Sequence, residues 1–249
     1  MITIKTESEI TLMRYAGKIT ARALNEVKKH TKPGITTLEL NNIAEDVIRS
    51  NGCVPAFLNY MGYPASICAS VNEQVIHGIP SDRKLKEGDI LSVDTGAVYK
   101  GFYGDAANTY AVGEISAEAK RLIDVTRQSL LSAMQYAKEG ARLGDISHAV
   151  QSYVEQNGLS VVRDFVGHGI GSAMHEAPSV PNYGKAGRGI ILRENMTIAV
   201  EPMVNAGSYE VAVLADNWTT VTIDKKNSAH YEHTLLIKSG GCEILTLDD

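Results

Sequence analysis

Apolar residues recur at helical spacing in four stretches of the chain, and in alternating or short unbroken runs between them. After Thr6-x-x-Glu9, a capping box in which hydroxyl and carboxylate satisfy each other's backbone N–H, Ile10, Met13, Gly17, Thr20, Leu24 and Val27 fall on one helical face. Thr36-x-x-Glu39 is a second box. Leu40, Ile43, Ala44, Val47 and Ile48 follow it up to Asn51-Gly52, a helix stop. A third helix is expected over 117–138, capped by Ser116, with Leu122, Ile123, Leu130, Ala133 and Ala137 inward. A fourth is expected over 145–156, with Ile146, Ala149, Val150, Tyr153 and Val154 on its apolar face, stopping at Asn157-Gly158.

The second stop repeats the first. A shift of 106 positions lays Thr20 on Thr126, Leu24 on Leu130, Lys32 on Lys138, Gly34 on Gly140 and Asn51-Gly52 on Asn157-Gly158. The order is long helix, Lys-x-Gly turn, shorter helix, Asn-Gly, then strands, and it occurs twice. Ile90–Tyr99 and 102–112 read as a hairpin turning at Lys100-Gly101. Further strands are expected over 161–166, 196–204, 218–223, 232–238 and 243–247. Paired helices followed by hairpin-linked strands predict an α+β fold with a mainly antiparallel sheet. The expectation is one domain over 1–249, built of two pseudo-symmetric halves, about 1–112 and 113–249, with a cleft where they meet.

Composition narrows the function. The chain has 24 Lys and Arg against 29 Asp and Glu, a net charge of −5, which argues against a protein whose main partner is a phosphate backbone. Cys53, Cys68 and Cys242 are scattered and form no Cys-x-x-Cys pair, so neither a disulfide framework nor a zinc–thiolate site is expected. The first residues contain no apolar leader core, and no run approaches the roughly 20 apolar residues of a membrane span. The expectation is a soluble, cytoplasmic protein.

Four carboxylates stand in apolar strand context: Asp94 and Asp105 on the two arms of the hairpin, Glu201 after Met-Thr-Ile-Ala-Val, and Glu232 opening a second apolar strand. Folding at Lys100 sets Asp94 and Asp105 nearly opposite one another, where like charges repel. Each acid taken singly also fits a solvent-facing position; together they call for a counter-ion. His168 lies between two glycines in Gly-His-Gly-Ile-Gly, a poor place for core packing and a good one for a ligand. His77 shares the His-Gly context. His30 and His148 fall on helices as solvated residues. His230 and His233 flank Glu232, and alternation turns His233 to the opposite face. Four carboxylates and one imidazole without thiolates suit Mn²⁺, Fe²⁺, Co²⁺ or Zn²⁺. So many bridging oxygens suggest two ions, roughly 3.5–4 Å apart, that activate a shared water.

This set, in this order, resembles the type I methionine aminopeptidases among the pita-bread metallopeptidases. The resemblance is carried by Phe165-Val-Gly-His168-Gly-Ile-Gly-Ser-Ala-Met-His175 with Val180-Pro-Asn-Tyr183, and by Asn72-Glu-Gln-Val-Ile-His77-Gly-Ile-Pro. It extends to Gly88-Asp-Ile-Leu-Ser-Val-Asp94, Gly104-Asp105, Glu201-Pro-Met and Tyr231-Glu232-His233-Thr. It implies the pita-bread fold, with Asp94 on one ion, His168 and Glu201 on the other, and Asp105 and Glu232 bridging. A metal-activated hydroxide would hydrolyse the peptide bond after the N-terminal methionine of nascent proteins whose second residue is small. Glu201 would also carry the proton, and His77 and His175 would meet the scissile peptide. Tyr60, Tyr63, Cys68, Met174 and Trp218 would line the methionine pocket; many relatives carry Phe where this chain has Met174. Asn72 and Ser228 match a monovalent-cation site, for Na⁺ or K⁺. The partners implied are nascent N-termini near the ribosome, and the expected state is a monomer.

Two rivals remain at this level, a related X-prolyl aminopeptidase and a non-catalytic pita-bread binding protein. The first usually carries an added N-terminal domain, and a type II methionine aminopeptidase carries a helical insertion; neither is expected in 249 residues. The second tends to lose ligands that are all present here.

Overall fold

The first two helices begin where the capping boxes put them. In the computed structural model, which describes residues 2–248, α1 (Glu7–His30) and α2 (Thr37–Ser50) each start at a threonine. Its side chain accepts the third N–H of the helix, and the glutamate there accepts the threonine's own N–H. α3 (Ala117–Met134) is capped by Ser116, and α4 (Leu143–Gln156) follows. α3 ends before the expected 138 because the next segment bonds elsewhere: Glu139 N–H donates to Lys238 O and Gly140 N–H to Leu192 O, both at 3.0 Å. α4 starts two residues before the expected 145, since Asp145 Oδ2 accepts the Arg142 N–H at 2.9 Å and so caps the helix.

The 106-residue shift relates the two helix pairs bond by bond. Gly34 N–H donates to Leu85 O at 2.8 Å, as Gly140 does to Leu192, and Leu85 and Leu192 return bonds to Ile35 O and Ala141 O, both at 2.8 Å. Asn51 and Asn157 each donate Nδ2 to the carbonyl four residues back, at 2.7 and 2.8 Å.

The strands are β1 (Val54–Pro55), β2 (Ile67–Val71), β3 (Gln74–Ile76), β4 (Ile90–Tyr99) and β5 (Phe102–Ala111) in the first half. The second half holds β6 (Ser160–Val161), β7 (Gly167–Gly169), β8 (Glu176–Val180), β9 (Thr197–Val200) and β10 (Met203–Asn205). After them come β11 (Val211–Val213), β12 (Thr220–Thr222), β13 (Ser228–His230), β14 (Glu232–Lys238) and β15 (Gly241–Ile244). A nine-stranded antiparallel sheet runs β1-β4-β5-β14-β9-β7-β8, with β2 also on β4 and β15 also on β14. Two three-stranded sheets, β13-β10-β6 and β11-β12-β3, flank it. The strand expected over 196–204 breaks at Glu201-Pro202, where proline has no N–H to give, so its two parts join different sheets. Of 161–166, only Val161 lies in a strand.

Strand alternation assigns the two faces of the large sheet. Leu91 and Val93 of β4 and Ala106 of β5 pack with Leu24, Leu40 and Ile48 of the first helix pair. Ile198 and Val200 of β9 and Leu235 of β14 pack with Leu122, Leu130 and Val150 of the second. The intervening positions, Asp94, Asp105, Glu201 and Glu232 among them, face the other way.

α1 lies against the hairpin at two glycines. A Cβ on Gly104 would sit 2.5 Å from the Gly17 nitrogen, and one on Gly17 would sit 2.2 Å from Leu245 O. Thr20 completes the contact by accepting the Ala97 N–H at 3.0 Å. Gly104→Ala must therefore push the helix off the strand next to Asp105. We expect its melting temperature to fall by about 2–12 °C, from roughly 1–3 kcal/mol of overpacking at about 2–4 °C per kcal/mol. An unchanged melting curve would show that the helix can move away freely.

Candidate metal centre and substrate pocket

Register brings the acidic side chains together. Asp94 of β4 pairs with Ala107 of β5, and Ala107 pairs with Glu232 of β14. Asp105 pairs with Gly96. Asp94 and Asp105 are thus diagonal neighbours on one face, not directly opposed, because the two-residue turn at Lys100 and Gly101 pairs Asp94 with Ala107, two positions beyond Asp105. The residues they do face, Ala107 and Gly96, put nothing larger than a methyl group between the carboxyl groups. Thr234, next after His233 on β14, bonds twice to Asp105, accepting its N–H at 3.0 Å and donating to its carbonyl at 2.8 Å. His168 of β7 and Thr234 of β14 both pair with Ala199 of β9, and Glu201 follows Val200, whose partner is His233.

The glycines around His168 are there for close backbone approach. A Cβ at Gly167 would lie 2.3 Å from Ala199 O, and one at Gly169 would lie 2.3 Å from Ala177 O. The imidazole Nδ1 sits 2.9 Å from Gly169 O, which holds the ring proton on that nitrogen. Nε2 is left as an acceptor, 3.6 Å from Glu201 Oε1 and 3.9 Å from Asp105 Oδ2.

These groups are buried and mutually repulsive. Burial and the neighbouring carboxylates push Asp94 and Glu232 well above the usual carboxylate range, and burial with the nearby Asp105 does the same to Glu201. Burial moves Asp105 to about 7. Burial and the adjacent His175 depress His168 to about 4, so it is neutral and able to ligate near pH 7. Asp94 Oδ1, Asp105 Oδ1 and Glu232 Oε1 are buried without a hydrogen-bond partner. One ligand atom each from Asp105, His168 and Glu232 lies within 4.8 Å of the others. Orphaned carboxylate oxygens around an imidazole acceptor fit divalent cations and little else.

The acidic patch forms the wall of a cavity of about 200 Å³ whose lining includes Tyr60, Tyr63, Cys68, His77, Met174, His175 and Trp218. Tyr63 and Trp218 meet edge-on with ring centroids 5.0 Å apart. The Tyr63 hydroxyl is held by the carbonyls of Ile67 at 3.1 Å and Gly78 at 3.0 Å, so the pocket sees the ring and not the polar end. Cys68 pairs with Asp94 across the sheet, and burial pushes its thiol up. His77 adopts a φ of 59° and packs edge-on against Phe165 and Trp218; burial and the nearby His175 lower it to about 4. His175 Nδ1 lies 2.8 Å from the Tyr60 hydroxyl. Met174 is buried in the wall.

Asn72 and Ser228 also come together, with Ser228 N–H donating to Asn72 O at 2.8 Å. The Asn72 side chain is engaged elsewhere, with Asp89 at 2.9 Å and the Ile90 N–H at 3.0 Å. Asn205 pairs with Ser228 and leaves its Oδ1 buried and unpartnered.

Sequence reasoning gave no role to His230, yet it is buried with an unpartnered Nε2 3.9 Å from Glu201 Oε2. The alternation that turns His233 to Thr246 at 2.8 Å carried the signal, because residue 230 shares parity with Glu232. Phe57 and Met61 line the cavity as well. Met61, 82% exposed, stands at the rim on a tight turn, and only the fold brings it there.

Known proteins resemble this chain over nearly its whole length. Residues 11–239 match the model of metallopeptidase family M24. The chain is 55% identical over 247 residues to a methionine aminopeptidase of Clostridium perfringens (strain 13 / Type A), covering 99% of both. It is 53% identical over 246 residues to methionine aminopeptidase 1 of Bacillus subtilis (strain 168), again covering 99% of both. The crystal structure of the Thermotoga maritima methionine aminopeptidase, 51% identical, superposes with a TM-score of 0.98 over 99% of this chain and 100% of that one. These matches do not favour the X-prolyl and non-catalytic alternatives. No helix among the described residues is long and apolar enough to cross a membrane. The chain belongs to metallopeptidase family M24 and, within it, to the methionine aminopeptidases.

Proposed function

We propose that the chain removes the N-terminal methionine from nascent proteins whose second residue is small, using two divalent ions. The observation that carries this reading is the set of orphaned carboxylate oxygens beside an apolar, aromatic-lined cavity. Asp94 would hold one ion, His168 and Glu201 the other, and Asp105 and Glu232 both. Co²⁺, Mn²⁺, Fe²⁺ and Zn²⁺ all suit these donors. Ions bound there would supply Lewis acidity toward the scissile carbonyl and would bring the pKa of water to roughly 7.

The chain's own residues do the rest. Tyr63, Cys68, Met174 and Trp218 enclose the methionine side chain, which is apolar and suited to soft aromatic contacts. Glu201 takes the proton of the attacking water on a carboxylate oxygen and passes it to the departing amine nitrogen. Tyr60 occupies Nδ1 of His175, which leaves Nε2 for the carbonyl oxygen as negative charge develops on it. His77, kept neutral by burial, serves as a second partner for the peptide. A monovalent cation, Na⁺ or K⁺, belongs to the same reading, at Asn72 and Ser228 beside the orphaned Asn205 oxygen. The setting we infer is cytoplasmic, close to the ribosome, with the chain acting as a monomer.

His168→Ala should lower kcat/KM on a Met-Ala-Ser peptide by more than about a hundredfold. Near-normal turnover at unchanged metal content would overturn the assignment. A Met-Ile-Ser peptide should be cleaved at least about tenfold more slowly than Met-Ala-Ser; equal rates in a mass-spectrometric assay would contradict a narrow cleft. Stripping metal with a chelator should abolish activity. Adding Mn²⁺ or Co²⁺ at about 100 times its Kd should restore activity and raise the melting temperature by about 5–10 °C. A chelated protein that keeps both activity and melting temperature would rule out the metal-dependent reading.

A further inference from the structure

The segment ahead of α1 has no part in the chemistry described so far, yet it carries a buried lysine. The Lys5 side chain is 5% exposed and its Nζ lies 2.6 Å from Glu176 Oε2, on a side chain only 10% exposed. Thr3 donates its hydroxyl to the same oxygen at 2.7 Å and accepts a bond from Lys5 Nζ. The other oxygen of Glu176 faces the opposite way in the chain. It accepts the Ala173 N–H at 3.2 Å and the Ser172 hydroxyl at 3.4 Å. One carboxylate therefore ties residues 3–5 to the loop over 171–175.

Both ends of this tie are fixed. Lys5 N–H donates to Asn195 O at 2.9 Å, which anchors the N-terminal segment just before β9. Tyr103 N–H donates to Gly171 O at 2.9 Å, which joins the start of the loop to β5, two residues from Asp105. Gly171 makes room for the lysine, since a Cβ there would lie 2.3 Å from Lys5 Cε. The loop so held presents Met174 to the cavity wall and His175 to Tyr60.

A buried ion pair is a poor way to gain stability, since apolar residues of similar volume commonly do as well. What it adds is direction. Here it holds the Ala173 N–H and the Ser172 hydroxyl, two and three residues before His175. We propose that Lys5 is a positioning residue for the reaction: through Glu176 it fixes the 171–175 loop so that His175 meets the substrate carbonyl. This rests on the activity proposed above.

Kinetics on Met-Ala-Ser with fully metal-loaded protein, well below each variant's melting temperature, test it. Lys5→Met should lower kcat by about 10–100-fold, the scale of an ångström-level misplacement, with KM changed by less than about twofold. If Lys5 acts through His175, adding Lys5→Met to His175→Ala should cost nothing further in kcat. The imidazole NMR signal of His175, assigned by its loss in His175→Ala, should shift or broaden in Lys5→Met. Should the single variant fail to fold, Lys5→Met/Glu176→Gln removes both charges and is expected to show the same loss of kcat. Wild-type protein inactive on this peptide would defeat the proposed function itself. An active wild type overturns the positioning role in either of two cases: kcat within about twofold in Lys5→Met or in the double variant, or equal losses with and without His175.

Discussion

The structure is organised around a charge problem. Four carboxyl groups crowd one buried patch, three of their oxygens have no partner, and the imidazole among them offers an acceptor, not a donor. Left alone, such a cluster shifts toward protonation, as the raised carboxyl groups show. It becomes stable in its charged form only with cations between the oxygens. Much of the surrounding architecture holds these groups close together while covering the opposite face of the sheet with helices.

Close approach is achieved with small residues. Gly96, Ala107 and Ala199 occupy the strand positions that interleave with the acids and His168, so no bulky side chain separates them. Gly167 and Gly169 bring the His168 strand onto its neighbours, and Gly104 lets α1 lie flat on the strand that carries Asp105. The ligand set is thus supported from behind by backbone contacts, which yield less than side chains do.

The two halves divide the chemistry between them. The first supplies Asp94, Asp105, His77 and most of the apolar pocket; the second supplies His168, His175, Glu201 and Glu232. They join at β5 and β14, where only Glu232 and His233 are in ladder register before Thr234 takes over with its hydroxyl. The seam between the two halves and the candidate ligands coincide, so metal bound there would reinforce the docking of the halves.

Local chemistry was legible in the chain. Thr6-Glu9 and Thr36-Glu39 start helices because a side chain three residues away satisfies the orphan N–H groups, which needs no tertiary partner. The acids alternating out of apolar strands are likewise a property of a few consecutive residues, and the 106-residue repeat lays one such local pattern on another. The tertiary structure decided the rest. The diagonal offset of Asp94 and Asp105 depends on the turn residues absorbed at Lys100 and Gly101. The early end of α3 depends on Leu192 and Lys238, the approach of His230 to Glu201 on the break at Pro202, and the Lys5–Glu176 tie on residues 171 positions apart. Hydrogen bonds inside a helix turn and the two-residue period of a strand are fixed by neighbours along the chain. Register, ring orientation and buried ion pairs are fixed by which distant segments pack together.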